Sequence, residues 1–536
     1  MARAFADGAI IGARIRTLDP ARPAASAVAW RDGTIIAVGD EAAVRECCDA
    51  RTVIRQLAGT GLVPGLTDSH IHPFHGADSA VGADLTGLRT LEQVLAALRA
   101  ERASCAAGQW VQGYALTYEA FEETGIDGAL FERAVGDAPA LITFFDFHTA
   151  LASPSALRLA GVDGPRTFAE ASEIVCLQGI PTGELRERAA MELVRDAIPE
   201  PTHAERLERI RGTLRGLNAN GITGAHVMLA SAGLYDVYRE LDEAGDLTVR
   251  CVVPLHQAPG VSDDAVEADL ALRDVRGRTW RGGAAKFFID GVVEPGTAWL
   301  DEPDSAGTGV TPFWPDPARY AGLVGRFARA GFQCITHAVG DRAVRAALDA
   351  YRDAGAAPGV MHRIEHVETL QDHDLPRFAV ENVAASMQPL HMENNSGEQT
   401  DPWSRMLGTE RANRAFRTRD LIDSGALVAL GSDWPIARYD PRRGMGWARL
   451  RREPGRREMV PCIASQALTP LEALHGYTIA PARLAGEGAV AGRIAVGCRA
   501  DLTAFAADPV EIDADELLDL PVVLTILGGR VVHYTA

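Results

Sequence analysis

Five short segments hold the side chains with chemistry in them: Gly61-Leu-Val-Pro-Gly-Leu-Thr-Asp-Ser-His-Ile-His72, Ala285-Lys-Phe-Phe-Ile-Asp-Gly291, Thr336-His-Ala-Val-Gly-Asp-Arg342, Arg363-Ile-Glu-His-Val367 and Gly431-Ser-Asp-Trp-Pro435. Any one of them is ordinary, because a single His at a strand end usually packs or makes a hydrogen bond. The ordered set is a metal-ligand set. His70 and His72 are two apart, so an extended strand aims both imidazoles at one face, where they can share one ion. Lys286 lies in Ala-Ala-Lys-Phe-Phe-Ile, where an unpaired ammonium carries a heavy desolvation penalty. Burial lowers a lysine's pKa and exposes a neutral amine. Two outcomes are open for that amine: an ion pair with a buried acid such as Asp290, or uptake of carbon dioxide to give a carbamate that can bridge two cations.

Charge counting favours the bridge. Neutral His70, His72, His337 and His366, one carbamate, Asp433 and a hydroxide total about −3 against two divalent ions, which leaves a small positive balance to polarise a carbonyl. Nitrogen and carboxylate donors suit Zn²⁺, with Mn²⁺, Fe²⁺, Co²⁺ or Ni²⁺ also admissible. The expected chemistry is attack of a metal-bound hydroxide on an amide or other C–N carbon, with Asp433 orienting the water and carrying its proton to the leaving nitrogen. A mononuclear deaminase of a ring amidine is the second enzyme reading, and it needs no bridging Lys286. A non-catalytic scaffold is the third reading, and it predicts missing ligands.

The elements that would position these residues alternate strand and helix. Strands are expected at 61–67, 221–227, 248–255, 284–289, 332–336, 360–364, 382–387 and 427–430, the eight parallel strands of a (β/α)8 barrel, with each candidate ligand at or near the end that forms the mouth. About 150 residues separate the first two strands, too many for a structureless loop, so 90–199 reads as an inserted subdomain. Short strands before residue 60 and after residue 485, with hairpin signals at Asp32-Gly33 and Gly528-Gly529, form a discontinuous terminal β domain, leaving 61–484 to the barrel.

At 536 residues the chain has room for two to four domains. Its formal charge of −19, from 53 basic and 72 acidic residues, argues against a nucleic-acid or anionic-membrane surface. No apolar stretch is long enough to span a bilayer, and no secretory signal pattern opens the chain. Eight scattered cysteines make no disulfide framework, which suits a reducing cytoplasm. The expected partner is a small-molecule substrate, and the expected assembly is a homo-oligomer, with a dimer favoured.

With these motifs in place, the chain resembles the amidohydrolase superfamily, in the branch called amidohydrolase family 3 that includes N-substituted formamide deformylases. Further matching stretches are Pro181-Thr-Gly-Glu-Leu-Arg-Glu187, Ser386-Met-Gln-Pro-Leu-His391 and Gly492-Arg-Ile-Ala-Val-Gly497. The resemblance implies a barrel with a β-sandwich built from both termini. It also implies that His70, His72 and Asp433 hold one metal, that His337 and His366 hold the other, and that carboxylated Lys286 bridges them. Departures fall around the substrate: Val292-Val-Glu-Pro-Gly296 puts Glu294 near the mouth, and Leu151 and Ser153-Pro154 follow His148 where relatives carry other residues.

Substrate-side candidates are therefore His148, Glu294, Gln388, His391, Trp110 and Trp434, with aromatic packing the plainer role for either tryptophan. His362, four residues before His366, is expected to support the ligands from deeper in the barrel.

Overall fold

The computed structural model describes residues 5–106, 108–145, 149–168 and 172–535, and these fall into two compact units: Met1–Pro73 with Arg211–Ala536, and Phe74–Ile210. In the larger unit both ends of the chain build one sheet. Gly8–Arg16, Ala24–Arg31, Thr34–Gly39, Val53–Gln56 and Gly61–Pro64 come from one end, and Leu502–Phe505, Val522–Leu527 and Arg530–Tyr534 from the other. The ends meet where Gly61–Pro64 runs antiparallel to Leu502–Phe505, Gly61 opposite Phe505 and Pro64 opposite Leu502.

Both expected hairpin turns form. Asp32 and Gly33 have φ of 49° and 72°, and Gly528 and Gly529 have φ of 54° and 79°, the paired left-handed residues that match the twist of flanking strands. Alternation covers both faces of the sheet: Ile10, Val28, Leu62 and Ile526 enter one apolar cluster, while Ala9, Ile11, Ala27 and Ala29 enter another. The two chain ends thus share one hydrogen-bonded, eight-stranded sheet.

The remainder of this unit is α/β. Leu66–Ile71, Ile222–Val227, Arg250–Val252 and Trp280–Arg281 form one sheet, and Leu255–Gln257, Ala284–Phe288, Gln333–Ala338, Arg363–His366, Ala384–Met387 and Val428–Leu430 form a second, each in that order. Every pairing in both is parallel.

The expected strands at 61–67 and 248–255 need correction, and the one expected at 360–364 runs Arg363–His366 instead. Residues 61–64 belong to the terminal sheet, and the first parallel strand starts only after Gly65, whose missing side chain makes room for Thr223: a Cβ there would lie 2.2 Å from Thr223 Oγ1. The strand expected at 248–255 is two short strands in different sheets, interrupted at Pro254, which has no N–H to give to a ladder.

Helices cover these strands by ordinary amphipathic logic. Pro317–Arg329 starts on an Asp316 cap, with proline in its first turn, and buries Tyr320, Leu323, Val324 and Phe327 at helical spacing. The Tyr320 hydroxyl lies 2.8 Å from Thr336 Oγ1, and the Tyr351 hydroxyl lies 2.6 Å from the same oxygen and donates to the Arg363 carbonyl at 2.9 Å. Two helices thereby fix the strand that carries His337.

The Phe74–Ile210 unit is larger than the expected 90–199 insertion. Its sheet runs Glu173–Leu177, Ile180–Arg186, Thr149–Ala152, Ala140–Phe144, Val111–Leu116, Ala83–Asp84. Ala140–Phe144 is buried throughout because each face meets its own cluster: Ala140, Ile142 and Phe144 pack with Val94, Leu95 and Phe131, and Leu141 with Trp110, Leu157 and Leu185. The helix Leu91–Ser104 begins on a reciprocal Thr90–Gln93 capping box. Among the described residues no helix is long and apolar enough to cross a membrane.

Candidate metal centre

The ends of four parallel strands and the segments that follow them bring histidines around one carboxylate. Asp433 Oδ1 lies 3.0 Å from His72 Nε2 and 3.3 Å from His70 Nε2, while its Oδ2 lies 3.3 Å from His391 Nε2. The His366 ring centroid is 4.8 Å from that of His70, 4.4 Å from that of His337 and 5.3 Å from that of His391. Backbone bonds hold the seam between first and last strands: Asp433 N–H donates to the His70 carbonyl at 2.7 Å, and His72 N–H to the Trp434 carbonyl at 2.9 Å.

Two of the candidate ligand residues have a left-handed backbone, His366 with φ of 72° and Asp433 with φ of 62°. Such conformations are strained for side-chain-bearing residues and persist where the surroundings enforce them, often at functional sites. The consequence at His366 is specific. Strict strand alternation sends neighbours to opposite faces, yet Glu365 bonds His70 and His366 packs against the same ring.

Lys286 is fully buried in Ala284–Phe288, its ammonium 3.9 Å from Met228 Sδ and 4.8 Å from the centre of the Phe288 ring. Burial pushes its pKa down to about 8 against the pull of Glu365 and Asp433. The alternative of a pair with Asp290 does not form: Asp290 accepts the backbone N–H groups of Val339, Gly340 and Trp299 at 3.1, 2.8 and 2.9 Å. Lys286 is also the only lysine in the chain, all other members of its 53 basic residues being arginines. That singularity is itself a sequence signal for a special role at this position.

Several residues without an expected role complete the site. The Glu365 carboxylate accepts His70 Nδ1–H at 2.6 Å and the Arg363 guanidinium at 2.5 and 2.9 Å. Arg363, itself buried, also donates to the Ser69 carbonyl, Ser386 Oγ and His226 Nδ1. Glu368 accepts Trp403 Nε1–H at 2.8 Å and lies 3.3 Å from His391 Nδ1. His362 differs from expectation. It accepts Cys334 N–H at 3.1 Å and bonds the Gly355 carbonyl at 3.0 Å, so it locks backbone rather than supporting a ligand.

Electrostatics match these contacts. Burial alone would raise the Asp433 carboxyl, but His70 and the hydrogen bonds from His391, His70 and His72 hold it well below its ordinary value. Burial likewise opposes ionisation of Glu365, and the Arg363 guanidinium followed by His70 overcomes it. Burial drives His337 down to about 3 and His366 well below the usual imidazole value. His391 goes the other way, up to about 10, because the Asp433 and Glu368 carboxylates, each 3.3 Å from one of its ring nitrogens, outweigh burial.

Among the described residues two groups offer donor atoms within 4.8 Å of one another, His70 with His72 and Asp433, and His366 with His391 and Asp433. The second differs from the expected pair in holding His391 where His337 was anticipated. His337 Nε2 instead lies 2.9 Å from the Gly291 carbonyl, which makes it the N–H nitrogen and leaves Nδ1 the lone pair. The donor set fits a divalent cation: imidazole nitrogens, one ionised carboxylate, and a buried His366 Nδ1 with no hydrogen-bond partner.

The substrate-side candidates separate. Trp434 is nearly buried beside Asp433, with its ring edge-on to Tyr439. Gln388 is buried, donates to the Ser386 carbonyl at 3.3 Å and leaves Oε1 without a partner. Glu294 remains exposed, although neighbouring atoms and the Glu368 carboxylate push its carboxyl up to about 7; water at the side chain moderates that rise. Trp110 packs in the core of the Phe74–Ile210 unit. His148 lies outside the described residues.

A parallel-stranded α/β hydrolase with its polar cluster at the strand ends is the class that this fold and site define. The amidohydrolase family model matches residues 54–533, and the chain belongs to that family: it is a metal-dependent hydrolase of carbon–nitrogen bonds. It is 29% identical over 545 residues to the N-substituted formamide deformylase of Arthrobacter pascens, covering 97% of each chain. It is 27% identical over 548 residues to the protein LONG AFTER FAR-RED 3 of Arabidopsis thaliana, covering 98% of this chain and 91% of that one. An uncharacterized metal-dependent hydrolase from Pyrococcus horikoshii OT3 has the same fold, with a TM-score of 0.74 at 23% identity over 95% of this chain and 99% of the other.

Proposed function

We propose that the protein hydrolyses an N-acyl or N-formyl amine, or a cyclic amide, at a centre of two divalent ions, zinc first among the candidates. The observation that carries this reading is the pairing of Asp433, shared by two ligand groups, with a fully buried lysine that has no counterpart elsewhere in the chain. We assign His70, His72 and Asp433 to one ion, His337 and His366 to the other, and a carboxylated Lys286 to the bridge. Arginine cannot take that last part, because its guanidinium does not deprotonate in proteins. The two parallel sheets are read as arcs of one closed (β/α)8 barrel, whose C-terminal mouth collects these side chains.

Divalent ions held there would polarise the substrate carbonyl and acidify a water molecule. The chain's own residues orient the ligands and handle the protons. Glu365 accepts His70 Nδ1–H and so presents Nε2 toward Asp433. Asp433, held ionised, receives the proton of the attacking water and delivers it to the leaving nitrogen. His391, bound between Glu368 and Asp433, fixes the second carboxylate oxygen and supplies an N–H beside the reacting carbonyl. Trp434 and the partnerless Gln388 Oε1 are assigned to substrate contact, the latter to an amide N–H.

The sole lysine makes the test unusually clean. Metal-loaded protein supplied with ¹³C-bicarbonate should give a side-chain carbamate resonance that is missing from Lys286→Ala, together with two ions per chain by elemental analysis. One ion per chain and no carbamate, at full activity, would sink the bridged centre and favour the deaminase reading. A screen of N-formyl amines, N-acyl amino acids and cyclic amides then identifies the substrate class.

A further inference from the structure

Where the parallel strands begin, at the end away from the histidines, lies a separate cavity of about 220 Å³. It is framed by the first residues of Ile222–Val227 and Arg250–Val252, by Trp280–Arg281 and by the chain after the helix Ile479–Leu484. Arg250, Arg276, Arg278, Arg281, Arg493 and Arg499 line it, with Glu487 and Asp501 the only carboxylates in its wall. The wall therefore carries four positive charges in excess, on a chain whose formal charge is −19.

Part of this charge has a structural use. Arg250 pairs with Asp501 at 2.7 Å, and Arg499 pairs with Glu487 at 2.6 Å. The same Glu487 is 3.6 Å from Arg281, so one carboxylate serves two guanidiniums. Arg278 is tied to Asp242. Arg493 donates to the Gly488 carbonyl at 3.0 Å, and among the described residues neither it nor Arg276 has a carboxylate at ion-pair distance. Like charges drawn together in a part-buried cleft repel one another unless a counter-charge joins them.

Trp280, 3% exposed, closes one side of the cavity, and its indole nitrogen is enclosed beside Gly277.

We propose that this cavity binds a phosphate group, free or carried by a small metabolite, with Arg276, Arg281 and Arg493 as its counter-charges. Phosphate suits the wall better than a monocarboxylate. It carries close to two negative charges, and its oxygens accept the forked N–H pairs of guanidinium. The volume leaves room for a small organic group beside the anion.

The test is calorimetric titration of inorganic phosphate into the metal-loaded, full-length protein at constant ionic strength, with chloride as the reference anion. We expect a phosphate site weakened at least tenfold by Arg276→Gln combined with Arg493→Gln, and kept in Asp433→Asn, which alters only the histidine end. Melting curves in chloride establish that each variant is folded, and Arg276→Gln alone replaces the double variant if that one melts early. Glycerol 3-phosphate titrated in parallel separates the sources: tighter binding identifies a phosphomonoester, and equal or weaker binding identifies the free ion. The proposal is overturned if phosphate gives no response beyond chloride, if the arginine variants bind as the parent does, or if binding disappears in Asp433→Asn and survives in the arginine variants.

Discussion

At one end of the parallel strands four histidines crowd a single ionised carboxylate, and at the other end arginines outnumber acids three to one. The histidine end is strained, with left-handed backbone at His366, Val367 and Asp433, whereas none of the arginines at the other end has positive φ. Chemistry and stability therefore draw on different means within the same strands. At the histidine end burial pushes His337 and His366 well below the usual imidazole value. The arginine end ties strands to the terminal sheet through pairs such as Arg250–Asp501. One buried chain spans the two: His226, in the arginine-lined wall, accepts from Arg363, which holds Glu365 against His70.

The sharpest way to break this contrast is at Asp433. Asp433→Asn should keep the melting temperature near that of the parent and lower turnover by about 10³-fold or more, as expected for a lost proton carrier that is also a ligand; full turnover would remove it from the mechanism. Lys286→Ala should be comparably inactive, with short-chain carboxylic acids restoring a small part of the rate, and no rescue at any concentration would argue against a bridging carbamate. Stripping divalent ions with a chelator should abolish turnover reversibly, with zinc tested first for restoration.

Glu365→Gln comes next in size. It leaves His70 in place and removes the charge that fixes its tautomer, so metal affinity should fall about 10- to 100-fold, read by competition with a chromogenic chelator. Unchanged affinity would mean that Glu365 serves only Arg363. The smallest effect belongs to the other end. Asp501→Asn weakens the Arg250 pair and the 2.6 Å bond from Gly528 N–H, and should lower stability by about 1–3 kcal/mol while metal content per chain stays at the parental value. A loss of metal in that variant would show that the two ends are not independent.

Much of the site was legible because its residue types are rare and its spacing regular. His70, His72, His337, His366 and Asp433 gather as the strand-end reading anticipates, and two glycine hairpins form where Asp32-Gly33 and Gly528-Gly529 mark them. What stayed hidden depended on distance through space. Arg363 and Glu365 read as an ordinary charged pair in a short strand, and only the fold shows both buried with His70 as partner. His391 was expected on the substrate side, but its place on a 3-10 turn with the Asp433 carboxylate 3.3 Å away shows only in the fold. Boundaries slipped where backbone chemistry outweighed apolar pattern: Gly65 separates two strands that read as one, and Pro254 divides another.

The terminal sheet has a consequence for how the molecule is made. Pro64 and Leu502 face each other across its central pairing, so the early strands leave the ribosome long before their partners exist. At roughly 5–20 residues per second the wait is on the order of 20–90 s, during which Gly61–Pro64 presents an unpaired edge. A nascent chain of this design has good reason to engage a chaperone, and truncation anywhere before Leu502 should leave that edge permanently open.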